Sequence, residues 1–178
     1  MGCSKILVVS MHFLMALSFI AVLTPQIFWA KVGSDKISLW QNCSSPTGDS
    51  GDVSCGKFGI SENDAHNEHK ALLDGCRASC VLGAIFAIVT AAVSICDRKF
   101  GAVFTAFLVA VFATTAVGTF AEFIHVKKVS WNGDANDGEH TYKPDVGLII
   151  ASINLVVAYL MVVTSCCVSR RSEYESIA

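Results

Sequence analysis

Charged side chains are scarce in this sequence: Asp, Glu, Lys and Arg together make up 16% of its 178 residues. The formal net charge is −2, so the chain lacks the cationic surplus with which proteins neutralise nucleic acid phosphates. Hydrophobic residues reach 53%, and the mean hydropathy is +0.54. This composition argues against a nucleic-acid-binding protein and against an ordinary soluble domain.

The sequence also lacks the motifs of common enzyme classes. It has no Walker loop, no His-Glu-x-x-His motif, no glycine-rich dinucleotide turn and no Ser/His/Asp nucleophile set. His66 and His69, with Glu62 or Glu68, could place metal ligands on one helix face, but histidines in an acidic loop are usually only solvated. We therefore expect no catalytic residue, no cofactor and no metal site, and the protein is predicted not to be an enzyme.

Long apolar runs are what the sequence has instead. Each run is about 19 to 24 residues long, enough to cross ~30 Å of hydrocarbon as a helix. The runs predict a single membrane domain, an all-α transmembrane four-helix bundle with spans at about 6–28, 78–96, 101–124 and 146–168. They leave two outer loops and a short tail, at 30–76, 126–145 and 169–178.

Basic residues at the ends of the spans predict the orientation. Lys5, the turn at Arg98 and Lys99, and the pair Arg170-Arg171 would share one side of the membrane. Because basic residues are enriched on the cytoplasmic side, both termini are predicted to be cytoplasmic and both longer loops extracytoplasmic.

The first outer loop holds the most informative stretch of the chain. Ile37 and Leu39 alternate with Ser38 and Trp40, a period-two pattern that predicts a half-covered strand. The turn-forming residues 45–52 separate Cys43 from Cys55, which predicts two antiparallel strands closed by a Cys43–Cys55 disulfide. Closing a loop of this size contributes about 3 kcal/mol to the free energy of unfolding. Asn42-Cys43-Ser44 is a glycosylation sequon, with Asn42 as the acceptor.

The remaining cysteines also separate by side of the membrane. Cys76 and Cys80 lie at the outer boundary, and Cys3, Cys96, Cys166 and Cys167 lie at the cytoplasmic one. Cys3, Cys166 and Cys167 are candidate palmitoylation sites; the alternative is that they are unmodified thiols.

Arg77 begins the second span and has Asp74 three residues before it, close enough to pair on a helix. Two interpretations of Arg77 stay open, a snorkelling anchor at the membrane surface or a buried partner for the folded outer loop. Small residues spaced by four on the second and third spans predict close helix packing. Within the fourth span, Asn154 predicts an interhelical hydrogen bond.

The motif Leu39-Trp40-x-x-Cys43, followed by Cys55 in the first outer loop of a four-span chain, resembles the claudin superfamily. The run from Leu39 to Ser44 is most similar to its peripheral myelin protein and epithelial membrane protein branch. Claudins place Gly where this chain has Ser38. Thr24-Pro25 and Ser38-Leu39-Trp40 also resemble the amastins, four-span surface glycoproteins that remain a rival assignment.

The resemblance implies a left-handed four-helix bundle with a small extracellular antiparallel β-sheet. Leu39, Trp40 and the Cys43–Cys55 bond would anchor the outer loop, together with Arg77. It implies a non-enzymatic protein of the plasma membrane that organises the cell surface or a cell junction, or mediates adhesion, through its outer loops and lateral helix contacts. The expected partners are membrane lipid, membrane proteins in the same membrane, and the same protein across cells or as a homo-oligomer. The alternatives are an auxiliary subunit of a channel or receptor and a small transporter.

Overall fold

The computed structural model describes residues 3–32, 35–44, 54–57, 65–96, 99–131 and 143–174. These residues form four helices: α1 (Cys3–Val22), α2 (Ala65–Ile95), α3 (Lys99–Trp131) and α4 (Val146–Tyr174). They also form five short strands: β1 (Phe28–Val32), β2 (Asp35–Ser38), β3 (Gln41–Ser44), β4 (Ser54–Lys57) and β5 (Lys143–Pro144). The architecture is a helical bundle with a small antiparallel sheet, as the sequence predicts.

Three of the helices are long and apolar enough to cross a membrane, judged by length and composition. Their apolar segments are 70–95, 100–125 and 146–167, close to three of the predicted spans. The apolar part of α1, 6–22, is shorter. Many large apolar side chains on the outside of the bundle are exposed, which is compatible with a membrane protein.

The prediction for the first span is wrong at its carboxyl end, because α1 stops at Val22 and not near residue 28. Pro25 has no N–H group with which to continue the helical hydrogen bonds. Thr24 instead tightens the end of the helix: its backbone N–H and its hydroxyl both bond to the carbonyl of Ala21, at 3.0 and 2.8 Å. The chain then turns and enters β1 at Phe28.

The other helix boundaries shift in the opposite direction. Helix α2 begins at Ala65, inside the predicted first outer loop 30–76, and α3 continues to Trp131, inside the predicted second loop 126–145. The helices therefore extend into both predicted outer loops. The second loop also supplies β5, a strand that the sequence analysis missed.

Small residues let the helices approach closely, and α2 packs most extensively against α3. Most members of the predicted small-residue stripes are buried, while Ala92 and Gly118 are exposed. Gly83 lies against the ring of Phe19 on α1, where a Cβ atom would come within 2.8 Å of the ring. The stripes thus serve packing within the bundle.

The sheet has the strand order β4-β3-β2-β1-β5, with every neighbouring pair antiparallel. The half-covered strand predicted at Ile37 to Trp40 is wrong in its second half, since β2 ends at Ser38 and β3 begins only at Gln41. Leu39 and Trp40 form the turn between them. Ile37, Ser38 and Leu39 are all fully buried, so the period-two pattern fails there.

Candidate functional site

The sheet lies against the end of the bundle where α1 ends and α2 and α4 begin; this end is called the sheet end below. The Cys43–Cys55 disulfide joins β3 to β4 at directly paired positions, with the two Cα atoms 4.1 Å apart. Cys43 is buried and Cys55 is exposed. The disulfide thus links the two strands at one edge of the sheet, β3 and β4, while β1 and β5 at the other edge contact α4.

Trp29 is the centre of this docking. Its side chain is fully buried, its indole N–H donates to the carbonyl of Val22 at 3.0 Å, and its ring packs 4.8 Å from that of Phe120 on α3. Gly147 on α4 completes the pocket, because a Cβ atom there would lie 2.5 Å from Cδ1 of Trp29. Sequence analysis missed this role, and the only available signal was an aromatic pair, Phe28-Trp29, directly after an apolar helix.

The carbonyl groups that follow the end of α1 are also capped by the sheet. The indole N–H of Trp40 donates to the carbonyl of Leu23, and Nε2 of Gln41 donates to that of Pro25 at 3.3 Å. Trp40 is anchored in this way but remains 41% exposed. The fully buried tryptophan of the sheet is therefore Trp29 in β1, whereas the aromatic anchor predicted from the sequence, Trp40, lies in the turn between β2 and β3.

Ser38 forms the turn that presents Trp40. Its hydroxyl oxygen accepts hydrogen bonds from the backbone N–H groups of Trp40 and Gln41, at 3.1 and 3.0 Å. The same hydroxyl donates to the carbonyl of Gln41 at 3.2 Å. A serine side chain that satisfies backbone groups ahead of it stabilises a turn against a continuing strand, which explains why the strand ends here.

Arg77 connects α2 to this turn. Its Nε donates to the carbonyl of Leu39 at 2.9 Å, and Nη2 donates to the same oxygen. Nη1 pairs with Asp74 at 2.6 Å, and the guanidinium lies 4.5 Å from the centre of the Trp40 ring. Of the two interpretations left open by the sequence, these contacts favour a partner for the folded loop. Leu39 itself is fully buried beneath the turn.

Asn42, the candidate glycan acceptor, lies in β3, paired with Ile37 on β2 and Gly56 on β4. Its side chain lies outside the described residues, as do that of Cys3 and all of Glu62. His66 and Glu68 lie in the first turns of α2, with side chains that are likewise not described, and the same holds for His69.

At the opposite end of the bundle, Cys166 and Cys167 are exposed near the end of α4, and Cys96 is exposed just after α2. The other free thiols among the described residues are buried at the sheet end: Cys76, whose Sγ donates to the carbonyl of Ala116 at 3.3 Å, and Cys80. The structure therefore separates the predicted palmitoylation candidates on α4 from the disulfide by the length of the bundle.

Two buried polar side chains lie inside the bundle. Asn154 accepts a hydrogen bond of 2.8 Å from the hydroxyl of Ser18, joining α4 to α1 as an interhelical contact. His12 is buried, with Nδ1 2.8 Å from the carbonyl of Val8. Nε2 of His12 and Nδ2 of Asn154 have no hydrogen-bond partner among the described residues.

The sheet end is thus a platform held together by hydrogen bonds, aromatic packing and one disulfide. Within the described part of the chain, no group of three or more His, Cys, Asp or Glu side chains could hold a metal ion.

Comparison with known proteins adds no assignment: no family model matches the chain, and no curated protein matches it.

Proposed function

We propose that this chain is a non-enzymatic, claudin-like four-span protein of the plasma membrane that organises cell-surface or junctional contacts through its sheet and its lateral helix faces. The motif Leu39-Trp40-x-x-Cys43 with Cys55 supports the resemblance, and a small antiparallel sheet on a helical bundle agrees with the fold that the resemblance implies.

The observation that carries the proposal is the attachment of the sheet to the bundle. Arg77 holds the Leu39 carbonyl, Trp29 bonds to the end of α1, and the Cys43–Cys55 disulfide closes the far strands. A surface that is rigid before binding loses less conformational entropy when a partner docks, which is what a contact protein requires. Catalysis would require reactive groups brought together. The polar side chains of Trp29, Ser38 and Arg77 instead bond to backbone groups and attach the sheet to the helices.

The proposed topology has four spans, with α1 as the first. Its apolar part, residues 6–22, gives a helix about 25 Å long, a few ångströms short of the ~30 Å hydrocarbon thickness. Both termini then lie in the cytoplasm, beside exposed Cys96, Cys166 and Cys167. The sheet, its disulfide and the sequon at Asn42 lie outside the cell, where disulfides form and glycans are added.

A second candidate function is that of an auxiliary subunit of a channel or receptor, and one contact favours it. The hydroxyl groups of Thr114 on α3 and Tyr159 on α4 lie 3.1 Å apart, and both side chains are exposed on the flank of the bundle. A polar pair facing hydrocarbon is suited to a hydrogen bond with a neighbouring transmembrane helix. Co-purification with a pore-forming partner that is lost in a Tyr159→Phe variant would support this function.

The topology is tested by labelling thiols on intact cells with a membrane-impermeant reagent. Cys43 and Cys55 should react only after reduction, and glycosidase treatment should remove a glycan from Asn42. Cys96 and Cys166 are the internal controls, because they should react only after the membrane is permeabilised. Free reaction of Cys43 without reductant, or reaction of Cys96 on intact cells, would contradict the proposal.

A further inference from the structure

Three lysines lie side by side across the sheet. Lys31 on β1 is directly opposite Lys36 on β2 and, on its other side, directly opposite Lys143 on β5. Directly paired residues project from the same face, and neighbouring strands are about 4.8 Å apart, so the three Cα atoms span roughly 10 Å in one line. All three side chains are exposed. These residues are called the lysine row below.

The lysine row lies on the face of the sheet that points away from the helices. The adjacent cross-strand pair, Ala30 and Ile37, is fully buried on the opposite face, against the bundle. Because side chains alternate along a strand, Lys31 and Lys36 project outward. The lysine row is thus open to a large partner.

No described acidic side chain neutralises the lysine row. In the described ranges the one ion pair between side chains is Arg77–Asp74, on α2. Asp145, the acidic residue nearest to Lys143 in sequence, accepts a hydrogen bond of 2.7 Å from the backbone N–H of Val146. Like charges at directly opposite positions destabilise a sheet, so an anion bound along the row would relieve a repulsion present in the free protein.

We propose that the lysine row binds a linear sulfated polysaccharide. Each lysine ammonium group is a compact point charge with three hydrogen-bond donors, so each can pair with a separate sulfate group of a polyanion. The three lysines start from one line of Cα atoms, and the ammonium group of Lys36 lies 5.4 Å from the centre of the Phe28 ring. Three exposed cations on one row of the sheet match a linear polyanion, which can follow them in succession. This proposal rests on the extracellular position of the sheet in the proposed function, because sulfated polysaccharides lie outside the cell.

The test uses the purified full-length chain in detergent and a heparin octasaccharide as the probe, with calorimetry at physiological ionic strength. We expect binding that weakens as salt is added, and no binding of an unsulfated oligosaccharide of the same length. The variant K31Q/K36Q/K143Q should bind on the order of a hundredfold more weakly, at about fivefold per lysine near a dense anion. The variant K5Q/R170Q/R171Q removes the same charge from the helix ends opposite the sheet, at the start of α1 and the end of α4, and should bind as the parent does.

Three results would overturn the proposal: no binding by the parent chain, equal losses in the two triple variants, or tighter binding of an acidic peptide of residues 132–142. The last result would point to a second copy of this chain as the partner. Binding is measured on purified protein and topology on intact cells. A failed binding experiment therefore leaves the thiol-labelling result standing, and the two proposals can fail separately.

Discussion

The indole nitrogen of Trp29 donates a 3.0 Å hydrogen bond to the carbonyl oxygen of Val22, the last residue of α1. The last carbonyl groups of a helix have no partner within the helix, and leaving them unpaired in an apolar environment is costly. Here the first strand of the sheet supplies the missing donor. The end of the helix and the start of the sheet are therefore stabilised by the same contact.

Replacing Trp29 with Phe should lower the free energy of unfolding by about 1–3 kcal/mol, because the buried Val22 carbonyl loses its donor. Denaturant unfolding of the detergent-solubilised protein measures this change. Trp40→Phe is the matched control: it removes the same indole N–H from a ring that is 41% exposed, where water can replace the bond. Equal losses in the two variants would contradict the capping role of Trp29.

Gly147→Ala should destabilise the protein by about 1–3 kcal/mol, since the new methyl group would lie 2.5 Å from Trp29 and 2.9 Å from the Phe28 carbonyl oxygen. Gly118→Ala on α3 should have the opposite sign, because no described atom lies within 4 Å of its Cβ position and alanine favours a helix by up to about 1 kcal/mol. The measurement is the thermal unfolding temperature of each variant, compared with that of the parent chain. If both variants changed stability in the same direction, the close contact between Gly147 and Trp29 would not be the cause of the change.

Arg77→Lys should loosen the sheet, because a single ammonium group cannot hold the Leu39 carbonyl with two donors while also pairing with Asp74. We expect a loss of about 1.5–3 kcal/mol, the range for hydrogen bonds to charged groups. Limited proteolysis of the protein in detergent measures this loosening, because the sheet of the variant should be cleaved faster than that of the parent chain.

Asp74→Asn is the control for Arg77. Asp74 is 50% exposed, and an exposed ion pair contributes about 1 kcal/mol or less. If Asp74→Asn opened the sheet as much as Arg77→Lys does, the ion pair would be the important contact rather than the bond to Leu39.

Ser38→Ala should destabilise the turn by about 1–2 kcal/mol, because the N–H groups of Trp40 and Gln41 lose their shared acceptor. Hydrogen exchange of these two amides should become faster than in the parent chain. Ser152→Ala is the control, since that exposed hydroxyl only bonds within its own helix, to Leu148, and should change stability little. Unchanged exchange at Trp40 would show that the turn does not depend on the hydroxyl.

Local sequence chemistry was sufficient for most of the helices and for the Cys43–Cys55 pair. Apolar runs identify α2, α3 and α4 because burial in hydrocarbon selects for uninterrupted apolar sequence. Boundaries were less predictable. The end of α1 depends on Pro25, whose effect on a helix is local, whereas β5 exists only because β1 offers it a free edge. No local signal encodes a strand of two residues.

The apolar helices, the cysteine spacing and the Leu39-Trp40 motif can be recognised in the sequence, because each depends on residues close together in the chain. Packing between distant segments established which tryptophan is buried, what Arg77 binds, and that Lys31, Lys36 and Lys143 form one row. These outcomes depend on pairings between segments distant in sequence, such as Arg77 with Leu39 across 38 positions. Burial and strand register arise only when those segments pack, so local sequence patterns do not predict them.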